Sequence, residues 1–402
     1  DICTKSADLL VKDFGWEKEE NYPGHQEIEV GLVKLYRVTN KPEYLEVAKF
    51  FLDVREGGEE YSQSHMKVTE QDEAVGHAVR ANYMYTGMAD VAALTGDQEY
   101  IEAIDRIWDN VVSKKLYITG GVGASGHGEA YGDNYELPNM SAYCETCAAI
   151  ANVFWNHRMF LLHGEAKYLD VLERTLYNGV ISGLGLTGDR FFYPNPLKSR
   201  GQHERSAWFG CACCPSNITR FLPSIPGYMY AVQDKDIYIN LYASSKTALE
   251  TGGGSLEIIQ ETNYPWEGLI KIMIRPETKK RFAVRFRIPG WSGDQVVPSD
   301  LYTFLDEASG LVEITVNGKA QELVLENGFA VINRKWSQND VVILEFPMDI
   351  KRIRAHENVD ADLGQVAVQR GPIVYCLEWA DQEEKKVLHM ALTKDPFFSY
   401  AY

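Results

Sequence analysis

The chain has 402 residues, of which 45% are hydrophobic and 24% charged, and 40 Lys and Arg against 57 Asp and Glu leave a formal net charge of -17. This is the composition of a globular protein long enough for two or three domains of roughly 100–200 residues. It excludes a polyanion-binding surface, which needs clustered Lys and Arg, and apolar stretches such as CAAIANVFW fall short of the ~20 residues that span a bilayer.

Residues 1–230 read as helices. The chain opens inside a helix-like pattern, DICTKSADLLVKDF, with no signal peptide, which says little about its compartment. HQEIEVGLVKLYRVTN places Ile28, Leu32, Leu35 and Val38 near the 3.6-residue period of an amphipathic helix. DEAVGHAVRANYMYTGMADVAALTG and AAIANVFWNHRMFLLHG follow the same period and close on a glycine. A loose repeat joins LYRVTNKPEYLEVAKFFLD, VAALTGDQEYIEAIDRIWD and MFLLHGEAKYLDVLERTLY. Each pairs a helix end, a polar turn and a tyrosine (Tyr44, Tyr100, Tyr168) opening a second helix. Such antiparallel pairs must stack to bury their apolar faces. Their uneven spacing predicts an α/α toroid with loops inserted between hairpins rather than a regular solenoid.

One insertion is TGGVGASGHGEAYGDNYELPN, residues 119–139, Gly-rich and almost without periodicity. Loops of this length in compact domains are usually functional or disordered. No strand precedes it and no Lys-Ser/Thr follows, so a phosphate-binding loop is unsupported. Glu129, Asp133 and Glu136 are candidate acid/base groups, with solvated surface carboxylates as the alternative. His25 and His77 each lie beside carboxylates, in GHQEIE and EQDEAVGHAVR, as ligand contacts or as satisfied core histidines.

Of seven cysteines, Cys3 and Cys376 stand alone, while AYCETC and CACC group Cys144, Cys147, Cys211, Cys213 and Cys214. Grouping in a large chain points to a metal or to catalysis rather than to a disulfide scaffold. It fits a reducing compartment such as the cytoplasm, or a periplasm if a metal protects the thiols. Spacing alone leaves several arrangements open. One is a closed structural zinc site of four cysteines, from Cys144, Cys147 and two sulfurs of the second group. Others are a redox C-x-x-C, which here lacks its βαβ context, buried inert thiols, and a mixed site that includes Glu145.

After Ala231 the pattern changes to short β-rich runs: DIYINLYAS, SLEIIQETNYP, LIKIMIRPE, RFAVRFRIPGW, LVEITVNGKA and VVILEFPMDIKRI. Alternation and turns such as VNGKA predict an antiparallel β-sandwich over 231–348. GQVAVQRGPIVYCLEW reads as the start of a second one within 349–402.

GHGEAYGDNYELPNMSAYCETCAAI, GDRFFYPNPL and WFGCACCPSNITRF together resemble glycoside hydrolase family 127, the bacterial β-L-arabinofuranosidases and near relatives. The resemblance extends from GHQEIEVGLVKLYRVT to VAVQRGPIVYCLEW, most of the chain. It implies an (α/α)6 barrel followed by β-sandwiches, with this chain beginning near the middle of the barrel. It further implies a retaining exo-glycosidase that removes terminal β-L-arabinofuranose from plant glycans. A Zn2+ ion would be held by Glu145, Cys147, Cys213 and Cys214, with Cys213 the nucleophile and Glu129 the general acid/base. His25, His77 and Tyr193 match sugar-contacting positions, while Cys144 and Cys211 become bystanders. Two other expectations stand beside this one: the same machinery acting on another sugar, and a non-catalytic carbohydrate-binding protein with a structural four-cysteine zinc. A plant oligosaccharide or glycan is the expected partner, nucleic acid and membrane are not, and a homodimer is left open.

Overall fold

Residues 2–383, 386–393 and 396–400 are described in the computed structural model, with helices first and strands after. The helices are α1 (Ile2–Asp13), α2 (Ile28–Thr39), α3 (Pro42–Asp53), α4 (Ala78–Thr95), α5 (Gln98–Asn110), α6 (Thr146–His163), α7 (Ala166–Thr175) and α8 (Cys213–Phe221). The three sequence repeats are the hairpins α2–α3, α4–α5 and α6–α7. In each, the first helix ends on a left-handed residue: Asn40 (φ 56°), Gly96 (φ 70°) and Gly164 (φ 71°). Asparagine and glycine tolerate that conformation best, so the chain turns at the same point in every repeat.

The repeated tyrosines are buried. The Tyr44 hydroxyl donates to Asp8 of α1 and the Tyr100 hydroxyl to Asp53 at the end of α3, both at 2.6 Å. Each of these two therefore fastens its hairpin to a preceding helix, which gives the repeat a physical purpose. Helices α4 and α6 are buried on nearly all sides, as expected of apolar helices packed among others. They meet through Tyr85 and Trp155, with ring centroids 4.8 Å apart. No helix among the described residues is long and apolar enough to cross a membrane.

The strands are β1 (Tyr230–Gln233), β2 (Asp236–Ile239), β3 (Ser245–Thr251), β4 (Gly254–Thr262), β5 (Leu269–Pro276), β6 (Lys280–Arg287), β7 (Tyr302–Phe304) and β8 (Glu313–Val316). They continue with β9 (Lys319–Ala320), β10 (Leu325–Glu326), β11 (Phe329–Trp336), β12 (Asp340–Glu345), β13 (Ile350–Ala355), β14 (Ala367–Arg370) and β15 (Ile373–Tyr375). They form three sheets, in the orders β1-β2-β6-β11-β10, β3-β4-β5-β12-β8-β9 and β15-β14-β13-β7. Alternate residues of the first two sheets share one apolar cluster: Ile237, Val284 and Phe286 from one, Ile258, Ile272 and Leu344 from the other. The ladders are antiparallel except between β2 and β6, which run parallel, a departure from the all-antiparallel expectation. VVILEFPMDIKRI, read as one run, is two strands in different sheets. It breaks at Pro347, which has no N–H for a ladder. The third sheet also takes in β7, far upstream, through Thr303 opposite Arg354.

Helices and sheets join through a buried polar junction. The fully buried guanidinium of Arg287 on β6 pairs with Asp170 at 2.7 Å and with Glu173, both on α7. Glu173 also accepts from Tyr264 Oη (2.7 Å) and Trp291 Nε1 (3.2 Å). Arg174 donates to the Val296 carbonyl and to Gln369, each at 2.8 Å. Buried charges need partners on every side, so this junction fixes the layers in one relative position.

Candidate active site and metal-binding cluster

Two helix starts converge on one point. Glu145 is the residue before α6 and Cys147 the second residue within it, while Cys213 and Cys214 are the first two of α8. One ligand atom from each of the four lies within 4.8 Å of every other. Glu145 Oε1 is 3.4 Å from both Cys213 Sγ and Cys214 Sγ, which are themselves 3.8 Å apart. Unpaired N–H groups and the positive dipole end of a helix favour negative charge there, so this is where carboxylate and thiolate belong. The Glu145 side chain does not cap α6. The Thr146 N–H is taken instead by the Tyr193 carbonyl at 3.0 Å, which ties Tyr193 to the same helix start.

The donor set fits a divalent cation. Four groups that can each carry a negative charge share one buried space, and Oε2 of Glu145 is buried without a hydrogen-bond partner. Burial pushes Glu145 well above the usual carboxylate range. Hydrogen bonds from Cys147 and Cys214 hold the Cys213 sulfur far below the usual thiol range. The bond to Cys213 pushes Cys147 up, and bonds to Cys147 first and Cys213 second push Cys214 up. Exposure separates the four: Cys214 is 0% exposed and Cys147 and Glu145 3% each, whereas Cys213 is only partly buried.

Cys144 does not join the cluster. Its backbone is left-handed (φ 42°), its N–H donates to Gly123, and its sulfur packs where a Cβ on Gly121 would lie 3.2 Å away. The four-cysteine arrangement that pairs Cys144 with Cys147 is therefore corrected: Glu145 supplies the fourth donor. Burial raises the Cys144 thiol, so it is inert packing. Cys211 is exposed and outside the cluster.

The Gly-rich loop is ordered. Ser125 and Ala130 exchange both backbone hydrogen bonds at 3.0 Å, and the Tyr131 N–H donates to Gly76 at 2.9 Å. This pins the loop beside His77, the residue before α4. Gly128 (φ 67°) and Glu129 (φ 51°) are both left-handed, and a glutamate held there is strained, as residues at functional sites often are. The Glu129 carboxylate accepts from Tyr143 Oη at 2.9 Å and lies 3.0 Å from His77 Nε2. Tyr193 Oη reaches both its oxygens at 3.5 Å. His77 Nδ1 accepts from the Arg80 N–H at 3.4 Å, which leaves the ring proton on Nε2, facing Glu129. Burial lowers the His77 pKa, opposed by Glu129, so the ring is a neutral donor. Burial first, and the Cys213 sulfur second, push the Tyr193 hydroxyl above the usual phenol range.

His25 stands at the exposed edge of this group, edge-on to Tyr83 with centroids 5.9 Å apart. Asp133 and Glu136 are exposed, and Glu136 accepts from the Asp133 N–H at 2.8 Å, so as acid/base candidates they are corrected to a surface brace. Sequence reasoning missed Tyr143 as a partner of Glu129. It also missed the network behind α8, where Arg220 pairs with Glu27 at 2.6 Å and donates to Asn217 at 3.1 Å. The Tyr143–Glu129 and Arg220–Glu27 pairs arise from contacts between separate segments, and no local spacing marks them.

Known proteins match this chain in sequence and in fold. Residues 1–227 match the β-L-arabinofuranosidase catalytic domain of glycoside hydrolase family 127. Residues 236–348 match that family's middle domain, and residues 350–400 its C-terminal domain. The chain belongs to glycoside hydrolase family 127. It is 34% identical to the non-reducing end β-L-arabinofuranosidase of Bifidobacterium longum subsp. longum, over 95% of this chain and 61% of that protein. A solved family 127 β-arabinofuranosidase superposes with a TM-score of 0.92 at 55% identity, over 94% of this chain and 61% of the other. The family 127 β-L-arabinofuranosidase of Geobacillus stearothermophilus T6 gives 0.87 at 42% identity, over 94% and 63%. The chain thus spans less than two thirds of the length of these relatives.

Proposed function

We propose that this chain carries the active site of a retaining exo-glycosidase that releases terminal β-L-arabinofuranosyl residues from plant-derived glycans. One observation carries the reading: Glu145, which shares the donor cluster with the partly exposed Cys213, also has a carboxylate oxygen within 4.8 Å of Glu129 and His77. In this reading Cys213 would serve as nucleophile and Glu129 as proton donor, the pair that retention requires. The names of the relatives supply the sugar.

Glu145, Cys147, Cys213 and Cys214 would hold zinc, which keeps coordinated thiols deprotonated at neutral pH. Cys213 Sγ attacks the anomeric carbon, and the C–S bond forms as the glycosidic C–O bond breaks. Glu129 gives its proton to the departing oxygen. In the second step Glu129, now a carboxylate, takes a proton from water while the water oxygen attacks the same carbon and the C–S bond breaks. The thiolate is regenerated, and two displacements leave the configuration unchanged. His77 and Tyr193, donors beside Glu129, and His25 at the rim would contact the sugar hydroxyls.

In this reading residues 1–230 contribute hairpins to an (α/α)6 barrel, 231–348 form a β-sandwich, and 349–402 begin a second one. The test is hydrolysis of a panel of aryl glycosides, β-L-arabinofuranoside included, with and without a chelator. Chelator-sensitive cleavage of that member supports the reading; no cleavage of any member contradicts it.

A further inference from the structure

We propose that Tyr143 is the positioning residue for the acid/base carboxylate, an inference that rests on the reading of Glu129 given above. The Tyr143 hydroxyl donates to Glu129 Oε1 at 2.9 Å, the shortest contact that carboxylate makes, while His77 Nε2 faces Oε2 at 3.0 Å. The two oxygens are thus held by different partners.

Tyr143 is itself rigidly placed. Its carbonyl accepts from Asn195 N–H at 2.8 Å, and the next residue's N–H donates to Gly123 at 2.8 Å. Its ring lies edge-on to Tyr193, with centroids 6.0 Å apart, and against Gly126 of the loop that bears Glu129. Two residues on, the same segment delivers Glu145 to the donor cluster. One short stretch of backbone therefore sets the acid/base and the cation cluster relative to each other.

Glu129 must alternate between carboxylic acid and carboxylate. It ends a three-residue 3-10 turn, His127–Glu129, in a left-handed conformation, so its own backbone does little to fix the carboxyl plane. A tyrosine hydroxyl on Oε1 can donate in both states, because Oε1 keeps an acceptor lone pair whichever oxygen carries the proton. The carboxyl group then keeps its orientation through the cycle, and the exchanging proton travels on Oε2, beside His77. Tyr143 acts through Glu129 and needs no contact with the sugar.

The test is Tyr143→Phe in the wild-type and Glu129→Gln backgrounds, assayed on aryl β-L-arabinofuranosides with good and poor leaving groups. In the wild-type background kcat on the poor leaving group should fall roughly 10- to 100-fold, with KM and bound metal unchanged. The loss on the activated substrate should be far smaller. In Glu129→Gln the same substitution should cost less than about two-fold, because the partner it positions has lost its proton. Equal losses on both leaving groups, or the same loss in both backgrounds, would overturn the role of Tyr143 alone. A Glu129→Gln enzyme with wild-type leaving-group dependence would overturn the acid/base reading and this inference with it.

Discussion

Glu145 Oε1 stands 3.4 Å from Cys213 Sγ although the two residues start different helices, α6 and α8. The donor cluster therefore joins the starts of two helices. A cation bound there stabilises the fold by its binding free energy. Chelation should lower the melting temperature by several degrees, and Cys214→Ser should bind substoichiometric metal and melt at the chelated value. Metal analysis paired with thermal melts checks this; a melting temperature indifferent to chelator would disconnect the cluster from stability.

Cys144 offers the opposite expectation. Its sulfur packs on Gly121 and lies outside the cluster. Cys144→Ala should retain full metal content and activity and lose only about 1 kcal/mol of stability from the small cavity. Loss of metal in that variant would restore the four-cysteine arrangement.

Glu129 makes the acid/base assignment testable by leaving group. Glu129→Gln should slow substrates with poor leaving groups by about 100-fold or more, and activated aryl glycosides far less, since those need no proton at the first step. Asp133→Asn and Glu136→Gln, changes in the surface brace, should stay within about two-fold of wild type. Equal losses on both substrate classes would remove Glu129 from the acid's post.

His157 on α6 sets a pH limit on stability. Burial, with Arg158 second, lowers its pKa from 6.5 to about 3, and Arg158 donates to its Nδ1 at 3.0 Å. The folded ring therefore stays neutral at pH values where the unfolded one protonates. The stabilisation is complete above 6.5 and is lost as pH falls from there toward 3. Between about pH 7.5 and about pH 5 the cost is about 2 kcal/mol. Denaturant midpoints should show His157→Gln losing less stability over that interval than wild type by about this amount. Parallel losses in the two proteins would show that His157 does not set the limit.

The helical half was legible because its signals are local. Period, glycine stops and a tyrosine opening each second helix mark the hairpins, and those tyrosines are buried as their pattern implies. The sheets were legible in type but less so in membership. β11, FAVINRKW, is among the longer strands but shows no clean alternation, because Asn333, Arg334 and Lys335 separate its apolar start from the buried Trp336. β7 is three residues long and pairs with a strand from a different part of the chain, which no alternation reveals. The cysteine groups announced a site. Nothing in the spacing told Cys144 from Cys147, because that choice depends on where α6 begins and which way the preceding residue points. Glu129 carried no mark of its own, since hydrogen bonds across the loop bring it to His77 and Tyr143.

The proposed mechanism stands or falls on a covalent bond between Cys213 and the sugar. Glu129→Gln should still be glycosylated by an activated aryl β-L-arabinofuranoside but be slow to release the sugar, because the base that activates water is gone. Quenching that reaction and mapping peptides by mass spectrometry should find one anhydropentose on the peptide from "CACCPSNITR", on Cys213. An unmodified Cys213, with the sugar on another residue or on none while turnover proceeds, would contradict the mechanism.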